Sequence, residues 1–177
     1  MGEPSMRSRP AALLEWLCFA FAMVGGVVLL ALVVITVISI SGRALVGIGA
    51  RPIPGDFELV EAGTAFAIFC FLPWCQLHRG HVTVDILAPW LGPRRDALLE
   101  AFHNLVMLAV AVLIAWRLWY GMLDKIRYNE TSFILQFPYW WGYAACMAPA
   151  VLYILVSAWT IVRGLGNAAR ARRPGGA

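Results

Sequence analysis

Four cysteines are the residues of this chain that could carry out thiol redox chemistry. They are Cys18, Cys70, Cys75 and Cys146. A membrane thiol oxidoreductase needs cysteine pairs in its loops, but all four of these fall within long apolar segments. Cys70 and Cys75 are five residues apart, about 500° around a helix, so they point to different faces. The pattern favours small apolar packing residues over a redox pair.

Three histidines are the candidates for a metal or haem site. They are His78, His81 and His103. His78 and His81 have the spacing of metal ligands, but no cysteine or third close ligand joins them. A haem held between helices would need opposed histidines inside a bundle, whereas these three lie near one membrane surface. We therefore predict no cofactor and no metal. A membrane anchor subunit of a haem-containing redox enzyme remains the alternative hypothesis.

Acidic residues open one apolar segment of the chain. Asp56 is a plausible helix N-cap, and Glu58 and Glu61 are three residues apart, hence on one face of a helix. This acidic pair could bind a cation or an arginine of a partner, and stabilisation of the helix dipole explains it equally well. Glu61 lies deeper, where an unpaired carboxylate costs several kcal/mol. We therefore expect a partner for it, which could be Arg43.

Composition identifies the elements that must position these residues. The chain has 177 residues, of which 61% are apolar or aromatic and only 14% are charged, and its mean hydropathy is +0.74. A soluble domain carries roughly 25% charged residues, so a soluble globular enzyme is excluded, and so is disorder. No basic face with interleaved aromatics accompanies the net charge of +4, so we expect no nucleic-acid partner.

Long runs without charge predict four membrane-spanning helices in a single domain, 1–177. The spans are expected at about 14–42, 57–77, 97–119 and 133–162. The first run is too long for the apolar core of a signal peptide, and we interpret it as a retained anchor. The predicted fold class is therefore an all-α polytopic membrane protein.

A short helix on the membrane surface is predicted between the second and third spans, at about 82–92. Its apolar residues would share one helical face. These are Ile86, Leu87, Trp90 and Leu91. Arginines flank the segment, as is typical of a helix in the headgroup layer. An ordinary polar turn is the alternative.

The distribution of basic residues predicts the orientation, because the positive-inside rule applies to short loops. Nine of the fourteen basic residues would lie on one side of the membrane. These nine are Arg7, Arg9, Arg79, Arg94, Arg95, Arg163, Arg170, Arg172 and Arg173. We therefore predict cytoplasmic tails at 1–12 and 164–177, with both termini inside.

The middles of the four predicted spans carry no charge. A solute or ion site at the midplane usually needs broken helices and buried polar groups. We therefore expect that this chain does not carry a solute by itself.

The order of these features resembles the small membrane subunit, the DctQ-like family, of tripartite ATP-independent periplasmic (TRAP) transporters. The likeness covers about residues 10–165. It is carried by Arg43 after the first span, Pro-Ile-Pro-Gly-Asp-Phe-Glu-Leu at 52–59, His-Arg-Gly-His-Val-Thr-Val-Asp at 78–85, and Pro138, Trp140 and Tyr143 before the fourth span. Departures from the family pattern are Ala44, where the family often has Tyr, Val82, where it usually has Ile, and Arg79, which lies one place closer to the histidine than usual.

The resemblance implies a non-catalytic subunit in the bacterial inner membrane. It implies two protein partners, which are a large membrane subunit that holds the substrate and sodium sites and a periplasmic solute-binding protein. The small subunit would brace the large one within the lipid bilayer and help to dock the binding protein during sodium-driven uptake of a carboxylate.

The resemblance also assigns expected roles to individual residues. Residues expected at the subunit interface or in structural motifs are Arg43, Glu58, Glu61, Arg79, His81, Asp85, Pro138 and Trp140. Charges predicted in the outer loops are candidates for docking the soluble partner. These are Arg51, Asp56, Lys125, Arg127 and Glu130.

Overall fold

Four long helices account for most of the computed structural model, which describes residues 9–49, 51–78 and 88–171. In chain order they are α1 (Arg9–Ala44), α2 (Asp56–Leu77), α3 (Ala88–Arg127) and α4 (Trp140–Ala171), with a short 3-10 helix at Val46–Ile48. Each of the four contains a stretch that is long and apolar enough to cross a membrane. The prediction of an all-α protein with four membrane spans is confirmed.

The fourth helix begins later than the predicted residue 133. Residues 131–139 form a loop, and α4 starts at Trp140. Pro138 explains this boundary, because proline has no N–H and disfavours a helical conformation in the residue before it. Its carbonyl then accepts a hydrogen bond from Trp141 N at 3.1 Å, in the first turn of α4.

The third helix is longer than the predicted span and begins at Ala88. Most of the predicted surface helix at about 82–92 therefore has no structural test, since residues 79–87 lie outside the described part of the chain. Residues 88–92 belong to α3 itself. A separate surface helix is not confirmed.

Backbone packing within the described residues follows the order α1, α2, α4, α3. Helix α1 packs along α2, α2 packs along α4, and α4 packs along α3, whereas α1 and α4 make only a small contact. Helices α1 and α3 therefore lie at the two edges of an open row. One buried cluster joins α1 to α4 through Cys18, Leu152 and Val156.

Glycines allow the closest helix contacts in this row. A Cβ placed on Gly25 of α1 would lie 2.9 Å from the Cβ of Cys70 on α2. A Cβ on the neighbouring Gly26 would meet no atom of the described chain within 4 Å. Both glycines have the residue type of a close-packing position, but within the described residues Gly25 alone of the two occupies one. At the other edge, a Cβ on Gly121 would lie 2.7 Å from Cε1 of Tyr143.

Candidate functional site

Two carboxylates at the start of α2 connect the elements at one end of the row. At this end α1 and α3 finish, and α2 and α4 begin. Gly55, with φ of 79°, turns the chain into the helix, and Asp56 and Glu58 lie in its first turn. Residues two apart in a helix point about 200° from each other, so the two carboxylates face opposite sides of α2. One meets α1, and the other meets the α3–α4 loop, which comprises residues 128–139.

Asp56 joins α2 to the end of α1. Ser39 Oγ donates to Asp56 Oδ2, and the amide N of Phe57 donates to Oδ1 at 2.9 Å. Arg43 Nη2 also donates to Oδ2, at 3.3 Å. Ser39 is fully buried, whereas Arg43 is largely exposed. Asp56 therefore links two spans. The N-cap role expected for it is wrong, because Gly55 occupies the N-cap position and Asp56 is the first residue of α2.

The suggested pairing of Arg43 with Glu61 is wrong, because the carboxylate beside Arg43 is that of Asp56. The geometry explains this. Arg43 lies at the last turn of α1, next to the first residue of α2. Glu61 lies five residues further along α2, about 7.5 Å deeper along the helix axis.

Glu58 holds the α3–α4 loop. Its side chain is buried, with 8% of the residue exposed. Ser132 Oγ donates to Oε2 at 2.8 Å, the amide N of Ile134 donates to Oε1 at 2.9 Å, and the amide N of Leu135 donates to Oε2 at 3.1 Å. These three donors satisfy both oxygens of an ionised carboxylate. We call Glu58 and these three donor residues the Glu58 cradle.

Internal hydrogen bonds also shape the α3–α4 loop. Ser132 N donates to the carbonyl of Phe137 at 3.0 Å, and Tyr139 N donates to the carbonyl of Glu130 at 3.1 Å. Lys125 forms an ion pair with Glu130 beside this hairpin. The loop is therefore fixed both by its own backbone and by the Glu58 cradle.

Glu58 and Glu61 do not form a joint acidic site. Glu58 is buried in its cradle, while Glu61 is exposed on the surface of α2. Among the described side chains none pairs with Glu61, so the partner expected for it is not found within that part of the chain.

The predicted docking charges divide into two groups. Asp56 is engaged by Ser39 and Arg43, and Lys125 and Glu130 pair with each other. Arg51 and Arg127 are exposed on loops or helix ends at the same end of the row. These two arginines are the predicted docking residues with the most accessible charge.

The residues predicted at the start of the fourth span shape the end of the α3–α4 loop. Pro138 forms an isolated antiparallel bridge with Thr131. Trp140 is the first residue of α4, and its ring lies edge-to-face with that of Trp141. Tyr143 packs over Gly121 of α3, as described above.

The opposite end of α2 carries a second polar cluster. Gln76 is buried, and its Nε2 donates to Asn104 Oδ1 of α3 at 3.4 Å, whereas its Oε1 has no hydrogen-bond partner among the described residues. His78 is exposed and stacks on Trp74, with ring centroids 3.9 Å apart. The predicted motif residues of this region lie outside the described residues. They are Arg79, His81 and Asp85.

Within residues 9–49, 51–78 and 88–171, no three His, Cys, Asp or Glu side chains come together in a way that could hold a metal ion. All four cysteines are free, and Cys18, Cys70 and Cys146 are buried between helices. Their burial agrees with the packing role expected from the sequence.

Sequence reasoning missed Ser39 and Ser132, the two buried hydroxyl donors to the carboxylates. The role of Ser39 could have been predicted, because it lies one turn before Arg43 on the same face of α1. Ser132 gives no comparable signal, since it is 74 residues from Glu58 along the chain.

Comparison with known protein families identifies this architecture. The family described as the DctQ component of tripartite ATP-independent periplasmic transporters matches residues 32–167, which include all of α2 and α3 and both carboxylates. No curated protein and no solved structure gives a significant match. A match of this extent establishes the family, and the chain belongs to the DctQ components, the small membrane subunits of TRAP transporters.

Proposed function

We propose that this small subunit braces the large membrane subunit of its transporter and helps to dock the periplasmic solute-binding protein. In this proposal the complete transporter takes up a carboxylate at the expense of the sodium gradient. The large subunit holds the substrate and sodium sites, and the small subunit carries out no chemistry of its own.

The open row of helices is the observation that carries this proposal. Since α1 and α3 lie at opposite edges and do not pack on each other in the described chain, the helices enclose no lumen between them. No Asp, Glu, Lys or Arg occurs between Glu15 and Arg43 in the first span or between Glu61 and Arg79 in the second. The middles of these spans offer no charged group for an ion or a carboxylate, which suits a scaffold.

Apolar faces along the edges of the row suit contacts within the membrane. Large apolar side chains are exposed along both edge helices, for example Val27, Leu30 and Val33 on α1, and Leu105 and Leu113 on α3. Lipid tails and a second membrane protein could both cover such faces, and polar contacts would distinguish the two.

Glu61 supplies the polar contact that favours a protein partner. It is exposed on a spanning helix, and the described chain offers it no cation. A carboxylate at this depth is costly unless it is paired. We infer that an arginine, lysine or protonated histidine of the large subunit pairs with it.

Arg51 and Arg127 are the groups that we assign to docking of the binding protein. Both are exposed at the end that carries the Glu58 cradle. Contacts through exposed charges act mainly on the rate of encounter and weaken with salt. The excess of basic residues at the other end supports a periplasmic position for this one and a cytoplasmic position for both termini in the bacterial inner membrane.

Reconstitution in proteoliposomes tests the proposal. We expect sodium-dependent carboxylate uptake when this chain, the large subunit and the binding protein are combined, and no uptake by this chain alone. Import or tight binding of a carboxylate by the isolated chain would refute the scaffold role.

Two variants separate bracing from docking. Glu61→Gln should reduce co-purification of the large subunit, whereas Arg51→Ala should leave the complex intact and raise the concentration of binding protein needed for half-maximal uptake. The Arg51 effect should shrink as salt is added. Equal effects of both variants on co-purification would contradict the separate roles.

A further inference from the structure

The tip of the α3–α4 loop exposes apolar side chains that no described part of the chain covers. Phe133 is 92% exposed and Ile134 is 59% exposed. Neighbouring Leu135 is 40% exposed and contacts Gly55, where a Cβ would lie 2.6 Å from the leucine Cγ. We propose that Phe133 and Ile134 lie in the lipid headgroup–acyl boundary and anchor this loop to the membrane surface.

Depth is the first argument for a lipid contact. The amides of Ile134 and Leu135 are bonded to Glu58, which belongs to the first turn of the membrane-crossing segment of α2. The loop tip is therefore level with the end of a spanning helix instead of projecting above it. Apolar side chains at that level gain free energy by contact with lipid.

The second argument is that backbone amides at the loop tip have hydrogen-bond partners within the protein. Irregular backbone at the border of the hydrocarbon region is tolerated only where its donors and acceptors have partners. The Glu58 carboxylate accepts the two amides at the tip, and the amide of Ser132 is bonded to the carbonyl of Phe137 within the loop. The amides of Ile134 and Leu135 at the tip are therefore already bonded within the protein and need no water as a partner.

Composition and surroundings are the third argument. No charged residue occurs from Thr131 to Trp141. Trp140 and Trp141 follow directly, both exposed, and tryptophan prefers the membrane–water interface. The tip is therefore continuous with the surface of the spanning helices.

Rigidity makes the exposure of the tip a property of the folded chain. The hairpin hydrogen bonds and the Glu58 cradle hold the backbone from both sides. The backbone on both sides of Phe133 therefore cannot turn inward without breaking these bonds. Such preorganisation reduces the entropy that is lost when an anchor binds.

Photocrosslinking in liposomes tests this inference. The photoreactive analogue p-benzoylphenylalanine replaces Phe133 in the full chain, assembled with the large subunit in phosphatidylethanolamine and phosphatidylglycerol vesicles. Arg51, an exposed and charged loop residue at the same end, provides the matched aqueous control. After illumination, mass spectrometry should show phospholipid adducts at position 133 at least several-fold above those at position 51.

Two results would overturn the inference. A crosslink to the large subunit or to added binding protein would make the tip a protein interface, and adducts no more abundant than at position 51 would place it in water. Co-purification with the large subunit verifies assembly of the labelled chain. The same substitution at Ile134 repeats the test if the first variant fails to assemble. Neither readout depends on transport, so the lipid contact and the proposed function can fail separately.

Discussion

Ser132→Ala is the smallest change that tests whether Glu58 holds the α3–α4 loop. The substitution removes the hydroxyl that donates to Glu58 Oε2 at 2.8 Å and leaves both backbone donors to the carboxylate in place. Ser132 is only 2% exposed, so water cannot readily replace the lost donor. The loop should still fold, but its folded conformation should be less stable relative to the locally open one.

The expected magnitude follows from the kind of bond that is lost. A hydrogen bond to a charged group contributes more to stability than one between neutral groups, and its loss corresponds to roughly a 10- to 100-fold change in a local equilibrium. One of the three donors in the Glu58 cradle disappears, while the hairpin bonds remain. We therefore expect the local opening of the loop to become roughly 10- to 100-fold more frequent, with little change in global unfolding.

Hydrogen–deuterium exchange of the peptide that covers residues 133–139 measures this opening. The amides of Ile134 and Leu135 are the ones bonded to Glu58 and should exchange faster in the variant by the factor given above. Thr131→Ala is the matched control, because Thr131 is exposed and its side chain makes no described hydrogen bond. Unchanged exchange in Ser132→Ala, or an equal acceleration in the control, would refute the role of Glu58.

Three further predictions concern packing, backbone conformation and assembly. Gly25→Ala should destabilise the detergent-solubilised subunit by about 1–3 kcal/mol relative to Gly26→Ala, because only the first adds a methyl group to a filled contact; equal melting temperatures would contradict this. Gly55→Ala should increase proteolysis of the α3–α4 loop, since it strains a φ of 79° and displaces a leucine packed there. Undiminished protease resistance would argue against it. His81→Ala and Asp85→Ala should weaken co-purification of the large subunit more than they alter KM for uptake, and an intact complex with a changed KM would count against the interface role.

The local pattern of apolar and charged residues was sufficient to predict the four spans. An apolar run of about 20 residues without charge has few stable alternatives to a membrane-crossing helix. The start of α4 was harder to predict, because residues 133–139 are uncharged and largely apolar, like the first turns of the helix that follows them. The loop conformation of these residues depends on Pro138 and on the distant carboxylate of Glu58. The effect of neither residue can be predicted from apolar composition.

The roles of the acidic residues were harder to predict than their presence. Helical spacing places Glu58 and Glu61 on one face of a helix, and this relation allowed a joint site as well as simple stabilisation of the helix dipole. In the structure, the partner of each carboxylate depends instead on its depth and on the element next to it. Asp56 forms an ion pair with Arg43, and Glu58 accepts hydrogen bonds from the α3–α4 loop. Both partners are remote in sequence, and a single sequence contains no measure of such contacts.

The position of the two carboxylates has a physical reason that bears on the bracing role. Within lipid, apolar helix faces gain little by choosing one another over lipid tails, so apolar contact alone does not fix the arrangement of a small membrane protein. Directional polar contacts can fix it, but they are costly at the midplane. The first turn of α2 avoids this conflict, since Asp56 and Glu58 lie at the border of the membrane and point to opposite sides of one helix. A single turn therefore sets both α1 and the α3–α4 loop relative to α2, and it leaves the apolar outer faces of the row available to a larger partner.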